Sequence, residues 1–119
     1  MLIAEDHEDV RELTVRMLSR LGCDDVDQAV DGQEAVEALA AQRYDLLLLD
    51  LSMPRLNGLE VIRWLDAHPD RLEGMTIAVL SASAHEERPT LNELGVEFVI
   101  SKPIRLQHLA ELVDRVRAV

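Results

Sequence analysis

The sequence is poor in cysteine, in aromatic side chains and in positive charge. Its single cysteine, Cys23, cannot form an internal disulfide and is expected to be a small buried apolar residue rather than a reactive thiol. With 12 basic against 23 acidic residues, the net charge is −11, which argues against direct binding of nucleic-acid phosphates. No apolar run approaches the roughly 20 residues that a membrane-spanning helix requires.

The composition is typical of one globular domain. Hydrophobic residues make up 48 % of the 119 positions and charged residues 29 %, so we expect a single domain over residues 1–119. The first ten residues, MLIAEDHEDV, carry acids where a secretory signal needs a basic start and a long apolar stretch. A cytoplasmic location without membrane contact is therefore expected.

Short apolar runs alternate with longer segments of helical spacing. The runs are MLIA (1–4), DVDQAV (25–30), DLLLLD (45–50), TIAVLS (76–81) and EFVIS (97–101). The four leucines between Asp45 and Asp50 are too short a run for a helix, and they favour a central parallel strand covered on both faces. Strands that alternate with helices predict a doubly wound α/β fold with right-handed crossovers.

The connecting helices are delimited by apolar stripes and capping signals. In the first helix the expected buried stripe is Val10, Leu13, Met17, Leu18 and Leu21. Asp31 with Glu34, and Asn57 with Glu60, have the spacing of capping boxes that begin the second and third helices. The last helix is expected over residues 105–118.

Pro89 restricts the fourth helix. An interior proline costs about 3 kcal/mol, whereas a proline in the first helical position costs little. We therefore expect this helix at about residues 89–94, with residues 84–88 as a loop.

Polar side chains follow the ends of four predicted strands. They are Glu5, Asp6, Asp50, Ser81 and Lys102. Each has a plain alternative explanation, such as Asp6 capping the first helix, but the carboxyl ends of parallel strands meet at one edge, where ligands bind. Clustered carboxylates favour a divalent cation such as Mg²⁺, and an ammonium and a hydroxyl suit phosphoryl oxygens. An aspartate between a metal and a lysine can attack phosphorus.

Together these motifs resemble the receiver domains of two-component response regulators. The resemblance rests on ED (5–6), DLSMPRLNG (50–58), SA (81–82) and KP (102–103), and it covers essentially the whole chain. It implies a flavodoxin-like fold with a five-stranded parallel sheet of order 2-1-3-4-5 and five helices. It also implies a domain that is not a separate enzyme but promotes its own phosphorylation and dephosphorylation.

The resemblance assigns roles to individual residues. It implies that Asp50 accepts a phosphoryl group from a phospho-histidine of a sensor kinase or phosphotransfer protein. Mg²⁺, for which Mn²⁺ can substitute, would be held by Asp6, by Glu5 through water, by Asp50 and by the backbone carbonyl of Ser52. Ser81 and Lys102 would contact the phosphoryl group, and the Lys102–Pro103 peptide is expected to be cis.

The conformational switch departs from the usual pattern. The family usually has an aromatic residue three positions before the lysine, where this chain has Val99. Because side chains alternate along a strand, the neighbouring Phe98 is expected to face the opposite side. The predicted switch residues are thus Ser81, Val99 and Pro103, with Ile104 replacing a common phenylalanine.

A partner kinase is expected to contact the exposed side of the first helix. The predicted contact residues are His7, Glu8, Arg11, Thr14 and Val15, with Ile104. The output domain or effector is expected outside this chain, which could be a stand-alone receiver or a part of a hybrid histidine kinase or larger regulator.

Two other functions are compatible with a strand-end aspartate. A Mg²⁺-dependent phosphatase of the haloacid-dehalogenase type has such a nucleophile, but it needs a second acid two residues later, where this chain has Ser52. A degenerate receiver that only binds partners would not need the complete set of Glu5, Asp6, Asp50, Ser81 and Lys102.

Overall fold

The computed structural model describes the chain apart from Ser52, Pro54, Leu56, Ser83, Glu97 and residues 118–119, and it describes residues 84–87 by their backbone. The strands are β1 (Leu2–Ala4), β2 (Asp27–Ala29), β3 (Leu46–Asp50), β4 (Thr76–Ser81) and β5 (Phe98–Ser101). The helices are α1 (Glu8–Arg20), α2 (Gly32–Ala41), α3 (Gly58–Ala67), α4 (Pro69–Leu72), α5 (Ala84–Glu93) and α6 (Leu106–Arg117). None of the described helices is long and apolar enough to cross a membrane.

The five strands form one parallel sheet of order β2-β1-β3-β4-β5, as predicted. The leucines of β3 explain its central place, because all four are at most 1 % exposed. Leu46 and Leu48 pack on the face covered by α1 and α6, and Leu47 and Leu49 pack on the face covered by α2 and α3. Burying each leucine contributes about 2 kcal/mol relative to leaving it in water.

Five helices were predicted and six are described. The additional helix is the one-turn helix α4, which begins at Pro69. The prediction for the fourth helix was wrong, because α5 begins at Ala84 and contains Pro89 in its interior. Pro89 is exposed, so the carbonyl that its missing N–H leaves without a helical partner can be hydrated. The surface position therefore reduces the cost of about 3 kcal/mol that is expected for a proline inside a helix.

The buried stripe of α1 also differs from the prediction. Leu13 is 49 % exposed, whereas Thr14 is completely buried. The Thr14 hydroxyl donates a 2.8 Å hydrogen bond to the carbonyl of Val10, so its burial leaves no polar group unsatisfied. A threonine that bonds within its own helix can therefore take a core position that hydrophobicity alone assigns to leucine.

The predicted capping box forms completely at α3, whereas at α2 Asp31 caps as predicted but Glu34 accepts from Val30 instead of Asp31. The Asp31 side chain accepts from the Glu34 backbone N–H at 2.8 Å, while Glu34 accepts from the N–H of Val30. At α3, Asn57 and Glu60 form the reciprocal capping box. These caps fix where the helices leave the loops next to the ends of β2 and β3.

Tyr44 connects β2 to the loop before β3, and its titration makes the stability of the fold depend on pH in the alkaline range. Its hydroxyl donates to Asp27 Oδ2 at 2.6 Å, and burial, followed by that hydrogen bond and the nearby acids, raises the pKa of Tyr44 to about 12. The folded state therefore holds this proton more tightly than the unfolded state, whose pKa is 10.0. The resulting stabilisation is present below pH 10 and is lost as pH rises towards 12.

We expect Tyr44→Phe to be less stable than wild type at pH 8 and closer to it at pH 11. Urea unfolding at both values measures this, and the difference between the two proteins isolates Tyr44 from other groups that titrate in the same range. A stability difference that stays constant from pH 8 to pH 11 would contradict this assignment.

Candidate functional site

The central carboxylate of the site is Asp50, the last residue of β3. It is 2 % exposed and lies between β1 and β4, where the connections of the sheet change direction. Ala4 pairs with Leu49, so Glu5 follows β1 beside Asp50, and the Glu5 side chain is fully buried. Two carboxylates from neighbouring strands therefore share one edge of the sheet.

Gly58 allows α3 to begin directly against the end of β3. Its N–H donates to the carbonyl of Leu51 at 3.0 Å. A Cβ at this position would lie 2.7 Å from the carbonyl oxygen of Asp50 and 2.7 Å from Leu51 Cα, both of which are backbone atoms. The glycine is thus required by close backbone approach next to the site.

We expect Gly58→Ala to lower the free energy of unfolding by about 1–3 kcal/mol, because the backbone that carries Asp50 must shift. Alanine otherwise favours a helix by about 1 kcal/mol over glycine. Denaturant unfolding measures the change, and a variant as stable as wild type would show that the two elements can separate without cost.

Ser81 and Lys102 reach the same edge from β4 and β5. Ser81 ends β4, is 5 % exposed and pairs in register with Ser101. The next residue, Lys102, donates its backbone N–H to the carbonyl of Ser81 at 3.0 Å, and the Lys102–Pro103 peptide is cis, as predicted. Lys102 Nζ lies 3.2 Å from Glu5 Oε2 and 3.2 Å from Asp50 Oδ1.

Lys102 is the counter-charge of the two buried acids. Burial alone would lower the pKa of Lys102, but the charges of Asp50 and Glu5, with hydrogen bonds to both, outweigh it and raise that pKa. The stabilisation that Lys102 contributes is therefore complete below its ordinary pKa and is lost as pH rises through the raised value. Throughout the neutral range the ammonium stays charged between the carboxylates.

The carboxylates form a group able to hold a metal ion. One ligand atom each from Glu5, Asp6, His7 and Asp50 lies within 4.8 Å of the others. Asp6 is not the cap of α1, because the N-cap residue is His7, and Asp6 Oδ1 is buried without a hydrogen-bond donor among the described residues. Buried carboxylate oxygens that converge on one point fit Mg²⁺, which takes oxygen ligands. Ser52, the fourth predicted ligand, lies outside the described residues.

We expect Asp6→Asn to raise stability in the absence of metal. Lys102 contacts Glu5 and Asp50, whereas the ionic contact described for Asp6 is His7, which is charged only when protonated. Removing one of three clustered charges should gain on the order of 1 kcal/mol, since the Asp6 side chain is 28 % exposed and partly screened. Melting in EDTA, with the exposed-site control Asp9→Asn, measures it. A lower melting temperature for Asp6→Asn than for the control would contradict repulsion within the cluster.

The predicted partner surface is only partly exposed. His7 and Glu8 are exposed, and Arg11 is half-buried with its guanidinium 2.9 Å from the carbonyl oxygen of Glu5. The expectation that Thr14 faces solvent was wrong, because it is buried, and Val15 packs partly against the core. Ile104 is 7 % exposed and belongs to the same core, because it follows the turn at Pro103 into the base of α6.

The prediction for β5 is confirmed. Val99 is 9 % exposed and packs in the core on the side of α2 and α3. Phe98 packs on the opposite side, with the Arg115 guanidinium 5.6 Å from its ring centre. The alternation places no aromatic ring at the position of Val99.

Sequence reasoning missed an ion pair next to the site. Arg55 has a left-handed backbone, with φ of 67°, in the loop after β3. Its Nε lies 3.0 Å from Asp31 Oδ2, and its Nη2 lies 3.3 Å from Asp31 Oδ1. The ion pair connects this loop to the start of α2, 24 positions earlier in the sequence. The contact with Asp31 accounts for the strained, left-handed backbone of Arg55.

The chain is similar over most of its length to a known family and to individual known proteins. Residues 1–114 match the response regulator receiver domain family. The chain is 41 % identical to response regulator MprA of Mycobacterium ulcerans over 99 % of its own length and 48 % of that protein. It is 38 % identical to sensor protein EvgS of Escherichia coli O157:H7 over 94 % of its own length and 9 % of that protein.

A solved structure agrees with this assignment. Response regulator TrrA of Thermotoga maritima, in complex with Mg²⁺-BeF, superposes with a TM-score of 0.83 at 29 % identity, covering 97 % of this chain and 96 % of that one. This chain spans about half of MprA and about a tenth of EvgS. The family match over most of the chain and the strand-end site lead to one conclusion: the chain belongs to the receiver domain family of two-component response regulators.

Proposed function

We propose that Asp50 accepts a phosphoryl group from a phospho-histidine of a sensor kinase or phosphotransfer protein. The observation that carries the proposal is the burial of Asp50 at the end of the central strand, 3.2 Å from the ammonium of Lys102. A carboxylate that is fixed beside a positive charge and among further acids is suited to nucleophilic attack on phosphorus.

In the proposed reaction an Asp50 carboxylate oxygen bonds to phosphorus as the bond from phosphorus to the donor imidazole nitrogen breaks. Lys102 Nζ, already beside Asp50 Oδ1, would pair with a phosphoryl oxygen, and the Ser81 hydroxyl at the same edge would donate to another. A bound Mg²⁺ would supply positive charge that reduces the repulsion between the phosphoryl oxygens and the carboxylates. Glu5, Asp6, Asp50 and the Ser52 carbonyl are the proposed ligands, with Mn²⁺ as a substitute.

The domain would act as a switch rather than as a separate enzyme. It would promote its own phosphorylation and dephosphorylation, and Ser81 would move towards the phosphoryl group, shifting the segment that leads to α5. Val99 and Pro103 would accommodate this movement without an aromatic rotation. The readout would lie in an output domain or effector outside this chain, without contact to nucleic acid or membrane.

The proposed docking surface for the donor combines His7, Glu8, Arg11 and the exposed part of Val15. His7 and Glu8 stand beside the site at the start of α1, so a phospho-histidine could reach Asp50 from this side. We propose that the reaction takes place in the cytoplasm, and a buried cysteine without a disulfide is compatible with that.

The test is incubation of the purified chain with acetyl phosphate or phosphoramidate, with Mg²⁺ or with EDTA, followed by intact-mass measurement. We expect a gain of one phosphoryl group with Mg²⁺ and none in EDTA. A parallel assay with p-nitrophenyl phosphate tests the rival function. Continuous release of nitrophenol would indicate a phosphatase and would reject the receiver function.

A further inference from the structure

The loop between β3 and α3 is held at both ends beside Asp50. Leu51 donates its backbone N–H to the carbonyl of Leu80 in β4 at 3.3 Å, and Gly58 donates its N–H to the carbonyl of Leu51 at 3.0 Å. These two hydrogen bonds fix the backbone next to the proposed acceptor. Arg55 lies between them, so its contacts help to decide where the middle of the loop rests.

Arg55 adopts a backbone conformation that its residue type disfavours. Its φ of 67° is the one positive value among the described residues other than glycine. In this left-handed region a Cβ crowds the neighbouring backbone, so the conformation persists only where other contacts enforce it. Strained residues of this kind concentrate at ligand clamps and switch segments, and Arg55 lies in the loop that directly follows Asp50.

The contact that enforces this conformation is a two-pronged ion pair. Arg55 Nε lies 3.0 Å from Asp31 Oδ2, and Arg55 Nη2 lies 3.3 Å from Asp31 Oδ1. The Asp31 side chain is only 11 % exposed, and its Oδ1 also accepts from the backbone N–H of Glu34, so the carboxylate is fixed in place. A guanidinium that meets a fixed carboxylate through two nitrogens is held more firmly and with a more defined direction than an ordinary surface ion pair.

The ion pair spans the edge of the sheet on which the site lies. Asp31 follows β2 and Arg55 follows β3, and β1 lies between these two strands. Glu5 and Asp6 follow the end of β1, so the ion pair joins the loops on either side of these acids. It therefore connects the loop after Asp50 to the start of α2 without using the acids themselves.

We propose that Arg55 and Asp31 are positioning residues for the site at Asp50. Their ion pair holds the loop after β3 in its left-handed turn, and in this arrangement the site binds its cation and accepts a phosphoryl group most readily. Neither side chain touches the reacting atoms. The inference rests on the proposed function, because it concerns the same site.

The experiment measures the rate of labelling by phosphoramidate at increasing Mg²⁺ concentration, together with calorimetric titration of Mg²⁺ onto the chain. The variants are Arg55→Gln and Asp31→Asn, which each remove one charge, and the asparagine can still cap α2. We expect each variant to raise the dissociation constant and the half-saturating concentration of Mg²⁺ on the order of 10-fold. The rate at saturating Mg²⁺ should stay within about threefold of wild type, because the reacting groups are intact.

A double variant and two further variants separate positioning from a general loss of stability. Because both substitutions remove the same contact, Arg55→Gln combined with Asp31→Asn should lose no more than either alone, whereas independent effects would multiply to about 100-fold. Arg55→Gly should regain part of the Mg²⁺ affinity, because glycine adopts the left-handed conformation without the ion pair. Arg63→Gln removes an exposed arginine of α3 and should match wild type.

The possible outcomes separate this inference from the proposed function. Mg²⁺ affinities of both single variants within about twofold of wild type, losses that multiply in the double variant, or an Arg55→Gly variant as weak as Arg55→Gln would overturn the inference. A wild type that binds Mg²⁺ but takes no phosphoryl group would overturn the proposed function, and the calorimetric comparison would still decide the role of the ion pair. A wild type that binds no Mg²⁺ would overturn both.

Discussion

Asp50→Asn is expected to take no phosphoryl group from acetyl phosphate in Mg²⁺, under conditions that label wild type to a measurable extent. The amide keeps the shape of the side chain but is a poor nucleophile, and it lacks the charge that Lys102 pairs with at 3.2 Å. Because the four preceding leucines hold β3 in the core, the variant should retain the fold.

The matched control for this prediction is Asp45→Asn, at the opposite end of the same strand. Asp45 carries the same charge, and its side chain is 59 % exposed. Intact-mass measurement should show wild-type labelling of Asp45→Asn and none of Asp50→Asn. Equal labelling of both variants would show that a residue other than Asp50 is the acceptor.

Lys102→Ala is expected to lose about 2–4 kcal/mol of stability in EDTA and to recover part of it in Mg²⁺. Lys102, the only lysine of the sequence, is the shared partner of Glu5 and Asp50, whose side chains are at most 3 % exposed. Removing one partner of a buried ion pair leaves the other charge uncompensated. A loss of this size lowers the melting temperature by about 10 °C in a domain of this length, and a bound cation would replace the missing charge.

The same variant should also accept phosphoryl groups more slowly, by on the order of 100-fold, because a charge next to the transferring oxygens is lost. Compared with Lys102→Ala, Lys102→Arg should regain most of the stability, because the charge remains. It should regain less of the phosphorylation rate, because the planar guanidinium differs in shape from a compact ammonium. Arg105→Ala, an exposed change of the same charge, is the control. Equal melting temperatures of Lys102→Ala and Arg105→Ala in EDTA would contradict the role of Lys102 as counter-charge.

The sequence was sufficient for the sheet because its signals there are strong and local. The run Leu46–Leu49 is buried on both faces, so its assignment as the central strand did not depend on distant contacts. In a parallel sheet the strand ends meet at one edge, and this geometry brought Glu5, Asp50 and Lys102 together as predicted.

The errors arose where a contact outside the local pattern decides the structure. Thr14 takes the buried place expected for Leu13 because a hydrogen bond to Val10 satisfies its hydroxyl. Pro89 lies inside α5 because its surface position reduces the cost of a missing hydrogen bond. Periodicity and propensity carry no information on either compensation.

The site and its surroundings contain electrostatic contacts that the sequence motif did not predict. Lys102, which is predicted to contact a phosphoryl group, also bridges Glu5 and Asp50 in this structure and neutralises part of their charge. The contact between Arg55 and Asp31 joins loops 24 positions apart, and no spacing rule links those two residues. Such long-range electrostatic contacts become visible only once the chain is folded.

The central claim, that Asp50 itself carries the phosphoryl group, is tested most directly by chemical trapping. Wild type is labelled with phosphoramidate in Mg²⁺, reduced with borohydride and digested, and each peptide is sequenced by tandem mass spectrometry. Borohydride converts an acyl phosphate on aspartate to homoserine, so we expect homoserine at position 50 and at no other acid. Homoserine at Asp6, or none anywhere in protein that has gained a phosphoryl group, would contradict the assignment of Asp50 as the acceptor.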